Sequence, residues 1–238
     1  VRESLVSDVP VSLLLSSGLD SSIILEELKR NGRQDIESIT IGFDNHSYDE
    51  SGIAKRFAKE RGFVNHSFVM KESEIFSVME KVIYHLDALN ANPCILAEYL
   101  NFKKAAEKFR VTLMGTGCDE IFAGYSTYKA NAYRETYGYV PLPLRSLIHR
   151  MASWLPVNHG KYSFDYLAYK FTQGSLFPRE KSHYWWRTMF SEDEKVLLLK
   201  NDILEQKEVD LDAFYIYEKY YKKVRDRMSF EDQTLYTD

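Results

Sequence analysis

No stretch of this sequence approaches the ~20 consecutive apolar residues of a membrane span. The N-terminus, VRESLVSDVP, has neither the basic n-region nor the apolar h-region of a secretory signal. A membrane is therefore not an expected partner. Cysteine is scarce: Cys94 and Cys118 are the only two, without CxxC spacing. That excludes a disulfide framework or a zinc site, and a reducing, cytoplasmic setting fits. Basic excess is missing as well, with 31 Lys and Arg against 35 Asp and Glu, a net charge of -4 and a pI near 5.9. Without a broad cationic footprint, nucleic acid is not expected to bind. Internal repeats and low-complexity segments are absent too. A chain starting on Val rather than Met is expected to be a piece of a longer protein.

What is present is an ordinary globular balance, 45% hydrophobic and 28% charged over 238 residues. That length holds one large or two small domains. Apolar runs alternate with amphipathic stretches. Residues 9–15 (VPVSLLL) predict a strand and 20–31 a helix with Ile23, Ile24, Leu25 and Leu28 on one side. A second strand is predicted over 36–43, then a helix over 49–62 with Asp49 as N-cap and Gly62 as its stop. Strand 64–70, helix 72–86, helix 95–109 and strand 111–115 follow. This alternation predicts an α/β fold, a parallel sheet of about five strands with helices on both faces. From about residue 125 the texture changes to aromatic-rich helices, so a mostly helical C-terminal lobe is expected over 131–238 after an α/β domain over 1–130. Trp185 and Trp186 read as packing residues there.

Two strand-to-helix junctions stand out. LLLSSGLDSS (13–22) puts Ser16, Ser17, Gly18, Ser21 and Ser22 where a strand hands over to a helix. Unpaired N–H groups at the positive helix end suit an oxyanion such as phosphate. No Lys follows, so this is not the GxxxxGK[ST] loop. Asp20 would repel such a ligand unless a divalent cation lies between them. MGTGCDEIFAGY (114–125) places Gly115 and Gly117 at a second strand end, then Asp119 and Glu120 at a helix start. Carboxylates from both junctions could share Mg²⁺ on a polyphosphate. Plain helix capping and dipole compensation remain the alternative for each junction. The histidines have no metal-ligand spacing and suit solvated or hydrogen-bonded roles.

These strings carry a resemblance. LLLSSGLDSS resembles the SGGxDS pyrophosphate loop of the ATP pyrophosphatase superfamily. GTGCDEIFAGY resembles the GEGxDExFxGY segment of the synthetase domain of glutamine-dependent asparagine synthetases. SDVPVSLLL, TIGF, SYDESGIAKRFA, NHSF and AAEKFRVTLMG follow that family's order, so residues 1 to about 130 are covered. The resemblance implies an adenine nucleotide alpha hydrolase-like fold and a ligase using ATP and Mg²⁺. It would adenylate the aspartate side-chain carboxylate with release of pyrophosphate, after which ammonia displaces AMP and leaves asparagine. By the same resemblance Ser16, Ser17, Gly18, Ser21 and Ser22 would hold pyrophosphate, while Asp20 and Asp119 would bind Mg²⁺. Leu14, Ile41 and Gly42 would flank adenosine, and Gly115 would lie near the ribose and the intermediate.

Three departures accompany it. Ser17 replaces the second Gly of SGGxDS. Met114 stands where the family has Ser, and Thr116 occupies the catalytic position of the Glu in GEGxDE, without its charge. The segment with the family's later lysine and an N-terminal glutaminase domain, which would supply ammonia, are both missing from this stretch. This chain alone is accordingly expected to be inactive in the full reaction, and a homodimer is compatible with the family. Two alternatives stay open: a related ligase acting on a different carboxylate, as in β-lactam synthetase or sugar amidation, and a nucleotide-binding module that has lost catalysis.

Overall fold

The computed structural model describes residues 1–45, 47–87, 90, 92–158, 160, 163–200, 203 and 212–237. By packing, the chain divides into two compact units, Val1–Thr116 and Gly117–Asp238.

The first unit is built on four strands, β1 (Val11–Leu14), β2 (Glu37–Phe43), β3 (Asn65–Met70) and β4 (Val111–Leu113), all parallel in the order β3-β2-β1-β4. About five strands were expected; the sequence has four extended apolar runs, and each forms one. Helix α1 (Leu19–Arg30) follows β1, and α2 (Ser51–Glu60) follows β2. Between β3 and β4 come α3 (Glu72–Ser77), α4 (Met79–Leu86) and α5 (Cys94–Ala105). Side chains alternate between the two faces of the sheet. Leu13 and Leu15 pack with Leu25, Leu28, Ala54 and Ala58 from α1 and α2. Leu14, Ile39 and Phe68 face the other way, toward Ala105 and Phe109. Both faces are thus covered by helices, as a parallel sheet requires, and each fully buried Leu contributes about 1.5–3 kcal/mol.

Local differences from the predicted elements have local causes. The helix predicted over 72–86 breaks at Val78, whose turn lets Val78 and Val82 both enter the cluster around Met70. Glu50, not Asp49, flanks α2; Asp49 Oδ1 instead accepts the Ser51 N–H at 3.0 Å. Gly62 ends that helix as predicted, with φ +81°. Strand β4 stops at Leu113, and Met114 leaves the ladder half-exposed.

The second unit consists of α6 (Cys118–Phe122), α7 (Ser126–Tyr137), α8 (Leu142–Ala152), α9 (Phe164–Gly174), α10 (Arg179–Arg187), α11 (Glu192–Leu198), α12 (Phe214–Val224) and α13 (Phe230–Thr237), with no strand among the described residues. Its packing is aromatic. Trp186 stacks on Phe171 at 5.8 Å and donates its Nε1 to the Lys170 carbonyl at 3.1 Å. A Cβ on Gly174 would stand 2.2 Å from that Nε1, so the indole needs the bare backbone of α9. Trp185 is buried against Phe177 at 5.2 Å. Both tryptophans therefore pack, as read from the sequence. Arg134 donates to the Phe177 carbonyl at 2.8 Å and Arg145 to that of Ser175 at 2.7 Å, satisfying carbonyls at and beyond the end of α9.

Candidate nucleotide site at the switch point of the sheet

The chain runs from β1 outward through β2 to β3, then returns so that β4 lies on the other side of β1. The reversal makes the carboxyl ends of β1 and β4 the switch point of the sheet, the place where open α/β sheets take ligands. The serine-rich junction leaves β1 there, and Met114, Gly115 and Thr116 leave β4 there.

Gly18, in extended conformation, precedes α1. The first bond within the helix is Ser22 N–H to the Gly18 carbonyl. The N–H groups of Leu19, Asp20 and Ser21 therefore have no acceptor within the helix, at its positive end. The serine hydroxyls shape the loop: Ser21 Oγ accepts the Ser16 N–H at 3.1 Å and lies 3.0 Å from Ser16 Oγ, while Ser22 Oγ donates to the Gly18 carbonyl at 2.8 Å. The chain beyond β4 meets this turn directly. A Cβ on Gly115 would stand 2.8 Å from the Asp20 Cβ and 3.3 Å from the Ser21 nitrogen. Only glycine permits that approach, so Gly115, Asp20 and Ser21 are brought together.

Leu14 and Ile41 are half-buried on one face of the sheet, toward the side carrying Ala105. Gly42 lies on the other face, where a Cβ would meet the Asp49 carboxylate at 2.4 Å. Thr116 is exposed in the turn before Gly117.

Asp119 belongs to the helical unit. Gly117, at φ +92°, opens α6, and Asp119 and Glu120 form its first turn. The Gly124 N–H returns to the Asp119 carbonyl at 3.0 Å, and a Cβ on Gly124 would fall 1.9 Å from Asp119 Oδ1. The glycine of the AGY string thus makes room for the Asp119 carboxylate. Tyr125 donates its hydroxyl to Glu120; that bond, with burial adding to it, pushes the Tyr125 pKa up to about 12. Among the described residues, no three or more His, Cys, Asp or Glu converge as a metal site.

One participant carried no sequence signal. The Ser17 hydroxyl donates to Glu50, which flanks α2. The two residues lie on successive crossover loops, and nothing in their spacing announces the bond. Thr40 is similar: its buried hydroxyl donates to the Leu15 carbonyl at 2.8 Å and ties β2 to the exit of β1.

The family model described as asparagine synthase matches residues 1–234. The chain belongs to the asparagine synthase family. Its relatives include glutamine-hydrolyzing asparagine synthetase 1 of Bacillus subtilis (strain 168), 31% identical over 150 residues, which are 63% of this chain and 24% of that protein. The enzyme named amidase chyE of Penicillium rubens is 33% identical over 154 residues, 57% of this chain and 22% of the relative. The chain thus spans about a quarter of the length of these curated relatives. Among solved structures, the NH3-dependent NAD synthetase of Campylobacter jejuni aligns with 96% of this chain and 91% of its own, at 13% identity and a TM-score of 0.38, too low to support any inference.

Proposed function

We propose that this chain is the ATP-consuming synthetase part of an amide-forming ligase. In this reaction the aspartate side-chain carboxylate attacks the α-phosphate of ATP, pyrophosphate leaves, and ammonia displaces AMP to give asparagine. The observation that carries the proposal is the contact of Gly115 with Asp20 and Ser21 at the switch point, in a chain of this family.

The N–H groups at the start of α1, with Ser16, Ser17, Gly18, Ser21 and Ser22, would bind the pyrophosphate. Leu14 and Ile41, which share a face, would flank adenosine; Gly42, on the other face beside Asp49, could meet it only through its backbone, and Gly115 would admit the ribose. Mg²⁺, held by Asp20 and Asp119 and completed by phosphate oxygens, would supply charge neutralisation on the leaving group. The backbone donors orient that group, and the site would keep water from the activated carboxylate. Residues 1–130 act as the nucleotide-binding domain and 131–238 as the helical lobe of the same synthetase domain. The ammonia source would be a glutaminase domain elsewhere in the complete protein, placed in the cytoplasm.

Thr116 favours a second reading. A neutral hydroxyl at that turn cannot act as a carboxylate base, which suits a ligase adenylating a different carboxylate. The test is pyrophosphate release by the complete protein with ATP, Mg²⁺ and ammonium across a panel of carboxylates. Aspartate-dependent release with stoichiometric asparagine supports the first reading. Release only with another acid supports the second, and silence across the panel overturns both.

A further inference from the structure

The helical unit holds a cavity of about 510 Å³, unrelated to the nucleotide reading. That volume lies within the range of small-molecule sites. Helix α9 lines it with Tyr166, Tyr169, Lys170 and Gln173, one helical face at spacings of three and four. Trp185 and Met189 form apolar wall opposite, and Glu194 contributes from α11.

The two charged groups are unusual in company. Lys170 Nζ makes one long bond, 3.3 Å to the Thr188 carbonyl, and lies 5.7 Å from the centre of the Trp185 ring. Among the described residues no carboxylate pairs with it. Burial lowers its pKa, against the attraction of Glu194. An ammonium has three donors, and one is engaged. Glu194 accepts the Ser191 N–H at 2.7 Å and its hydroxyl at 2.8 Å, bonds that hold its carboxyl below the usual range. Opposite charges therefore border one cavity without touching each other.

We propose that this cavity binds a free α-amino acid with an apolar side chain, its carboxylate on Lys170, its ammonium on Glu194 and its side chain against Trp185 and Met189. A simple carboxylate would meet repulsion from Glu194 and a simple amine repulsion from Lys170, whereas a zwitterion satisfies both. The proposal is independent of the amide-synthesis reading, and the probes below are not substrates in it.

The test is calorimetric titration of the chain with L-leucine and L-phenylalanine, against N-acetyl-L-leucine, which lacks the cation, and L-leucinamide, which lacks the carboxylate. Saturable one-to-one binding of leucine below about 10 mM is expected, with both blocked forms weaker by about tenfold or more. Lys170→Met and Glu194→Gln should each weaken leucine by about tenfold, while Lys170→Arg retains it. Gln at 194 preserves the capping arrangement with Ser191, so Glu194→Gln removes charge without unseating α11. If Lys170→Met fails to fold, Glu194→Gln and the blocked ligands decide. Equal binding of either blocked form, an unaffected Glu194→Gln, or no saturable binding of leucine overturns the proposal.

Discussion

The two units solve the problem of a core differently. In Val1–Thr116 the buried set is mostly aliphatic, with Leu13, Leu25 and Leu28 fully buried and Leu15 and Ile36 nearly so. In the helical unit Trp185, Tyr221 and Phe230 share the interior with Asn131, Ser175, Ser182 and His183. Asn131 Nδ2 lies 2.9 Å from His183 Nδ1, and Arg134 Nε donates to Ser182 Oγ at 3.0 Å. An aliphatic core loses stability through the cavity that truncation leaves. A polar core loses it through desolvated groups that forfeit their partners. The first unit is thus specified mainly by shape and alternation, whereas the second adds side-chain hydrogen bonds between helices, such as Asn131 with His183 and Arg134 with Ser182.

The largest predicted effect is chemical. Asp20→Ala and Asp119→Ala should each lower ATP turnover of the complete protein by about 10³-fold or more. Near-normal turnover in either variant would remove that residue from the proposed metal ligands. Next in size, Leu25→Ala should destabilise the first unit by about 2–5 kcal/mol. Trp154, Trp185 and Trp186 all lie in the helical unit, so in urea the loss should appear in far-UV circular dichroism before tryptophan fluorescence moves. Coincident shifts in both signals would merge the two units into one cooperative body. Asn131→Ala should cost about 1–3 kcal/mol with the opposite signature, fluorescence first; a negligible change would mean that the bond to His183 adds nothing to the core. The smallest effect concerns Glu37, whose carboxyl is held below its ordinary 4.5 by Lys108 and then His66. This contribution is present above that ordinary value and fades as pH falls through the lower folded one. Glu37→Gln should therefore cost about 1 kcal/mol or less near neutrality, and the gap to the wild type should close in acid. A gap that persists at low pH would assign the loss to packing.

The same contrast explains what the sequence disclosed. Apolar alternation exposed β1, β2 and β3, and Gly62 marked the end of α2, because both patterns arise from local backbone geometry. The break at Val78 was hidden, since the apolar periodicity runs straight through it. Glycine, serine and aspartate at two strand ends announced the candidate site, and the strand order puts both exits at the switch point. The Ser17–Glu50 bond was invisible because its partners belong to different crossovers. In the helical unit only texture was legible. Ring pairs such as Phe171 with Trp186 and Phe177 with Trp185 join different segments of the chain, and no periodicity encodes them. His183, read as solvated or hydrogen-bonded, is hydrogen-bonded and fully buried.

The order β3-β2-β1-β4 also sets a timetable. Thr40 reaches Leu15 across a separation of 25 residues, whereas Ser12 reaches Thr112 across 100. Two doublings of loop length add about 1.2 kcal/mol to the entropy of closure. The return at β4 is made by an edge strand of only three residues. That edge should dock last as the chain folds and detach first when it breathes. Because Gly115 travels with β4, the proposed site is completed by the final step of assembly, and any ligand seated there would act as the clasp that keeps the sheet closed.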